Sequence, residues 1–231
     1  MSRPSLFGRA LRVHVLPLAT VLLVALVLVP AAAGASLLEA GGGQLGSLSR
    51  ARLSFRHVRG ELNVLERHVA TVTGALLPGR AGHLIELQRG AGRGWRTIAR
   101  TFTGGRGRFR LRYTPGQLGE QRLRVLFPGD GRATATSRRV GLLSVFRLAG
   151  ASWYGGGGSL ACGGWLSGAT LGVANKTLPC GTLVTLRYGA RSIRVPVIDR
   201  GPYVAGRDFD LTEATKRALG FEGVGEVWSS R

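Results

Sequence analysis

The residues able to do chemistry are unevenly placed in this 231-residue chain. All four histidines (His14, His57, His68, His83) precede residue 151, and both cysteines (Cys162, Cys180) follow it. Two thiols alone do not complete a tetrahedral zinc site, so no metal is expected, and no other cofactor. An even cysteine count in an exported chain favours one disulfide. The reactive candidates that remain are two carboxylates, Asp199 in VPVIDRGPY and Asp210 in GRDFDLTEATKRALGF. A carboxyl with a raised pKa delivers a proton to a leaving oxygen, and its conjugate base takes one from an attacking hydroxyl. Each has a structural alternative. Asp210 and Glu213 fit a capping box, D-x-x-E, which holds the ionised form and works against a general acid. Asp199 can tie down its own tight turn through the backbone.

These residues need elements to hold them. Leu183 to Tyr188 (LVTLRY) and Ser192 to Ile198 (SIRVPVI) read as a hairpin around Gly189. Asp199-Arg200-Gly201-Pro202 is a tight turn after a strand. Leu211 to Leu219 reads as one short helix, with Leu211, Ala214, Ala218 and Leu219 available for its apolar face and Gly220 as its stop. Phe221 can pack back on that helix, and VGEVWSS reads as a last strand. Upstream, from about Ser49 to Arg147, short alternating strands recur: His68 to Thr73, His83 to Arg89, Trp95 to Phe102, Phe109 to Tyr113 and Gln121 to Phe127. FRLRY places apolar residues in and Arg out. Turn signals such as Pro78-Gly79, Gly104-Gly105 and Pro128-Gly129-Asp130-Gly131 separate them, as in a small antiparallel β-sandwich. Gly141 to Gly150 is either its last strand or a connector.

The net charge is +20, of which residues 1–150 carry +17 and residues 151–231 only +3. Such an excess implies an anionic partner or a solubility device. Arg3, Arg9 and Arg12 precede the nearly continuous apolar run Val15 to Val29, and AAAGA follows Pro30. This is a secretory signal or an uncleaved membrane anchor. Either places the rest of the chain outside the cytoplasm, and export argues against nucleic acid as the partner.

Five signals in residues 151–231 then acquire a common meaning: ASWYGGGG, LACGG, TLGVANKTLPCGT, VPVIDRGPY and GRDFDLTEATKRALGF. Together they resemble the RlpA-like double-psi β-barrel over almost all 81 residues, and the stretches LIELQRGAGRGWRTIARTFTGGRGRFRLRY and RLRVLFPGDG before them resemble bacterial Ig-like modules. The resemblance implies an all-β protein, with a signal or anchor helix at 1–35 and a linker at 36–48. An Ig-like sandwich at 49–147 and a six-stranded barrel with one short helix at 148–231 follow. It implies a peptidoglycan-directed protein of the envelope or exterior, related to lytic transglycosylases and expansins. Likeness to expansins points to Asp210 as the acid, and likeness to RlpA equally to Asp199. Trp153 and Tyr154 would line the sugar groove with Asn175 and Tyr203. Lys176 and Arg200 could hold carboxylates or peptide stems. The basic sandwich could hold anionic wall polymers. The chain departs from the family where a Glu, an Asp and a His are replaced by Gly164, Ser167 and Asn175. Two readings therefore stand: cleavage of glycan strands, or a non-catalytic wall-binding or wall-loosening role. Barrels of this kind can also bind proteins, as a secreted proteinase inhibitor would.

Overall fold

The computed structural model describes residues 49–231. The signal or anchor expected at 1–35 and the linker at 36–48 lie outside the described residues. The fold is all-β with one short α-helix.

The first half is built from β1 (Ser54–Gly60), β2 (Asn63–Leu65), β3 (Ala70–Leu77), β4 (Leu84–Ala91), β5 (Gly94–Phe102), β6 (Arg108–Tyr113), β7 (Gly119–Phe127) and β8 (Thr136–Tyr154). One sheet has the order β1-β3-β6, and the other runs β5-β4-β7-β8 with β2 added alongside β8. Their inner faces share one apolar core, which includes Phe55, Val72, Leu76, Ile85, Leu87, Phe109 and Val125. The period-2 pattern explains this: Phe109 and Leu111 are buried while Arg108, Arg110 and Arg112 are exposed. Gln88 is buried too, because the register against β5 slips between Leu87 and Gln88. Its side chain is satisfied, donating to Glu86 and Thr97 and accepting from Arg124 Nε at 2.8 Å.

The second half contains β9 (Gly158–Ser159), β10 (Trp165–Leu166), β11 (Val173–Ala174), β12 (Leu183–Tyr188), β13 (Arg191–Asp199), β14 (Phe209–Thr212), α1 (Glu213–Leu219) and β15 (Gly225–Ser229). Ladder pairings run β14-β11-β13-β12-β15-β8, and β8 pairs back onto β14, so six strands close into a barrel. Two contacts are parallel, β11 with β13 and β14 with β8. Phe209, Leu211, Leu186, Val197 and Phe221 fill the interior. Each fully buried side chain of this size contributes about 1.5–3 kcal/mol.

Gly141 to Gly150 is both the end of the sandwich's last strand and the connection into the barrel. It belongs to the 19-residue β8, which pairs with β7 up to Val145 and with β15 from Arg147 onward. One strand thus serves both halves, and residues 147 and 148 fall in its middle.

The helix also departs from expectation. It begins at Glu213, because Phe209–Thr212 remain a strand held between β11 and β8. Thr212 is the N-cap and its hydroxyl accepts from Thr215 N at 3.3 Å, so the Asp210/Glu213 capping box is not formed. The buried face is Thr215 and Leu219, while Ala218 is exposed. Gly220 ends the helix in the left-handed conformation (φ 69°), as a C-terminal glycine does, and Phe221 returns to the core.

Candidate functional site

Strand pairing brings the two aspartates to one level of the barrel. Asp199 ends β13 and Asp210 is the second residue of β14. β11 lies between them, with Ala174 paired to Asp199 on one side and to Asp210 on the other. Two interstrand steps of about 4.8 Å place their Cα atoms roughly 10 Å apart. On the far side of β14, Asp210 pairs with Ser152 and Thr212 with Tyr154. The parallel contact of β8 with β14 therefore delivers the ASWY segment to the carboxylates.

The two carboxyls are held differently. Asp199 Oδ1 accepts from Ala161 N and Arg200 N, both at 2.9 Å. It thereby joins the loop before Cys162 to the DRGP turn. Asp210 Oδ1 accepts a short hydrogen bond from the hydroxyl of Ser152, a buried residue. Arg207 Nη1 donates to the same hydroxyl at 3.3 Å. The Tyr154 hydroxyl is shielded from solvent and lies beside the Asp199 carboxylate, outside good hydrogen-bond geometry. Burial pushes its pKa far above the usual tyrosine value, and the negative charges of Asp199 and then Asp210 push it the same way. It is therefore a protonated donor at any working pH.

The other expected residues fall in three places. Asn175 is buried, and its amide is engaged: Nδ2 donates to Asp208 O at 2.9 Å, and Oδ1 accepts from Thr177 N and Leu178 N. Arg200 is turned to the same loop, donating through Nη1 to Asn175 O and Leu178 O and through Nη2 to Cys180 Sγ at 3.1 Å. Cys180 is disulfide-bonded to Cys162. Both side chains thus shape the 175–180 loop. Trp153 (40% exposed) and Tyr203 (81% exposed) are accessible to solvent, and Lys176 is exposed. Lys216 Nζ lies 4.2 Å from the Trp153 ring centroid and pairs with Glu222 at 3.0 Å.

Two replaced positions have explicit geometry. Gly164 has φ +89°, a conformation that L side chains rarely adopt, so a glutamate there would strain this loop. Ser167 is exposed and bonds Thr170, with its hydroxyl 3.0 Å from Thr170 Oγ1.

Four residues at or behind the site carried no usable sequence signal. Ser152 and Arg207 are ordinary polar residues until β8 meets β14. Asp208 accepts from Gly150 N and pairs with Arg147 at 3.0 Å, fixing the approach to Asp210. Thr215 looks like a helix surface residue, yet it docks the helix on Gly172: Gly172 N donates to its hydroxyl, and the hydroxyl contacts Gly172 O, each at 2.9 Å.

Residues 148–228 match a family model described as lytic transglycolase. A probable endolytic peptidoglycan transglycosylase RlpA of Aquifex aeolicus is 41% identical over 75 residues, covering 30% of this chain and 33% of that protein. The protein of the same name from Synechocystis is 42% identical over 85 residues, covering 33% of this chain and 26% of that protein. The chain thus spans about a third or less of the curated relatives it matches. The solved structure of Streptomyces papain inhibitor aligns with a TM-score of 0.31 at 27% identity, covering 36% of this chain and 91% of that one. Residues 148–228 are thus similar to RlpA-like double-psi β-barrel proteins.

Proposed function

We propose that the protein is an envelope protein whose barrel cleaves peptidoglycan glycan strands as a lytic transglycosylase. The observation that carries this reading is the buried Tyr154 hydroxyl beside the Asp199 carboxylate, with Asp210 at the same barrel level. We assign the proton transfer to Asp199, the carboxyl beside the Tyr154 hydroxyl. Its carboxylic acid protonates the glycosidic oxygen as the C1–O bond breaks. The resulting carboxylate takes the proton of the same sugar's 6-hydroxyl, whose oxygen bonds C1. The product is a 1,6-anhydro sugar, and no water is consumed. Asp210, braced by Ser152, faces the positive charge that develops on the ring. Trp153 and Tyr203 are sugar platforms, with Asn175 and Arg200 shaping the loop beside them and Lys176 at its rim. We take residues 49–147 as an Ig-like spacer and 1–35 as the export signal or anchor.

A second reading has its own observation. Gly164 sits in a conformation that L side chains rarely adopt, where the family resemblance implies Glu, and Asn175 stands locked where it implies His. A groove so altered can bind glycan without cleaving it, as in a wall-binding or expansin-like protein. The test incubates the full chain and its Asp199→Asn, Asp210→Asn and Tyr154→Phe variants with purified sacculi. Loss of a general acid/base costs about 10²–10⁴-fold in rate, so Asp199→Asn should all but stop muropeptide release while keeping the fold. Undiminished release by that variant would remove Asp199 from the chemistry.

A further inference from the structure

The outer face of the β1-β3-β6 sheet gathers arginines that the barrel chemistry does not use. β6 sends Arg108, Arg110 and Arg112 outward, opposite Ala75, Thr73 and Thr71 of β3. Directly paired residues share a sheet face. On the other side of β3, Arg56 pairs with Ala75 and Arg59 with Thr73. Residues three apart normally point to opposite faces. Here the register shifts between Arg56 and Arg59, with His57 at φ 51°, and this bulge returns Arg59 to the face of Arg56. Five exposed arginines thus flank a middle strand of Thr and Ala. Phe109, Val72 and Leu76, adjacent to them in sequence, are buried in the core.

The resulting surface is a trough. A groove of about 730 Å³ is lined by His57, Arg59, Thr73, Phe102, Arg108 and Arg110, with no carboxylate in its lining. None of Arg56, Arg59, Arg108, Arg110 or Arg112 pairs with a carboxylate among the described residues, whereas Arg100 on the neighbouring β5 pairs with Glu86 at 2.9 Å. Successive outward residues along β6 stand roughly 6.8 Å apart, and Arg59 faces Arg110 across two strand spacings, roughly 10 Å. Cations on two walls, above a floor of Thr and Ala, fit a linear polyanion lying in the trough. An Arg fork is well matched to phosphate oxygens.

We propose that this trough binds a phosphodiester-linked polyol chain of the cell wall, holding the protein on its substrate layer. The choice of a wall polymer rests on the peptidoglycan-directed reading above, while the trough itself does not. The test is titration of the full chain with purified poly(glycerol phosphate) wall polymer at several salt concentrations. Arg59→Gln/Arg108→Gln/Arg110→Gln should weaken binding at least tenfold and flatten its salt dependence. Arg50→Gln/Arg93→Gln/Arg132→Gln removes the same charge from elsewhere and should change binding less than threefold. Equal weakening by both triples would show bulk charge rather than a site and overturn the proposal. Tighter binding to single-stranded DNA or to phosphatidylglycerol vesicles than to the polymer would overturn the choice of occupant. Asp199→Asn should bind the polymer like the parent chain, so failure of the cleavage reading and failure of the trough are separately visible.

Discussion

Replacing Thr215 by Val keeps the side-chain shape and removes one hydroxyl. That hydroxyl is the buried joint between α1 and the loop before β11. It accepts from Gly172 N at 2.9 Å, contacts Gly172 O at 2.9 Å and is met by the Thr212 hydroxyl at 2.9 Å. Gly172 O retains another donor, Thr212 N at 3.2 Å, so its loss is partial. Gly172 N loses its acceptor in a place closed to water, and an unsatisfied buried donor costs about 1–3 kcal/mol. With the lost Thr212 contact, the total is about 2–4 kcal/mol. For a chain of this size, each kcal/mol lowers Tm by about 2–4 °C. Thr215→Val should therefore melt about 4–16 °C below the parent protein by calorimetry. Asp210→Asn, which touches no cap, should stay within about 3 °C. A Thr215→Val protein with parental Tm would refute the docking role. An Asp210→Asn protein that melts like a decapped helix would restore the capping box.

Two further outcomes follow. Replacing Cys162 and Cys180 by Ser opens a crosslink with a sequence separation of 18; the chain-entropy model gives a loss of about 3 kcal/mol, read by denaturant titration, and no loss would mean that the loop is already fixed by Arg200. Glu86 is held below the usual Glu range, first by the Thr97 hydroxyl and then by Arg100 and Gln88, against the opposing effect of burial. Its ionised form favours the folded state, so its contribution is complete above the unfolded Glu value of about 4.3 and fades as pH falls through the lower folded one. Glu86→Gln should destabilise the protein near neutrality by about 1–2 kcal/mol, with the gap to the parent closing below about pH 4; a gap independent of pH would assign the loss to packing.

What could be read from the residues, and what could not, has physical causes. FRLRY and LVTLRY alternate cleanly, and both are strands with the expected faces. β1 escaped notice because its bulge at His57 breaks the alternation. Gly141 to Gly150 looked ambiguous because β8 changes partners at Phe146 and Arg147, and Phe146 is buried out of phase with Leu143, Val145, Ala149 and Ala151. Asp210-x-x-Glu213 is a sound local capping pattern. It lost to tertiary pairing, since Asp210 is held in a strand between β11 and β8, which leaves the cap to Thr212. The closeness of Asp199, Asp210 and Tyr154 depends on contacts between segments about 45 to 56 residues apart, and local pattern does not encode such contacts. The motif resemblance brought these residues together on one barrel. It carried no information on Ser152, Arg207 or the occupied amide of Asn175.

The central claim is cleavage through the sugar's own hydroxyl, and its most direct measurement is digestion of sacculi by the full chain in H₂¹⁸O. Mass spectrometry of the soluble products should find 1,6-anhydro muropeptides without ¹⁸O at the cleaved end, and these should vanish with Asp199→Asn. Reducing ends carrying ¹⁸O would contradict the account by showing hydrolysis, and absence of any soluble product with protein bound to the sacculi would replace cleavage by wall binding.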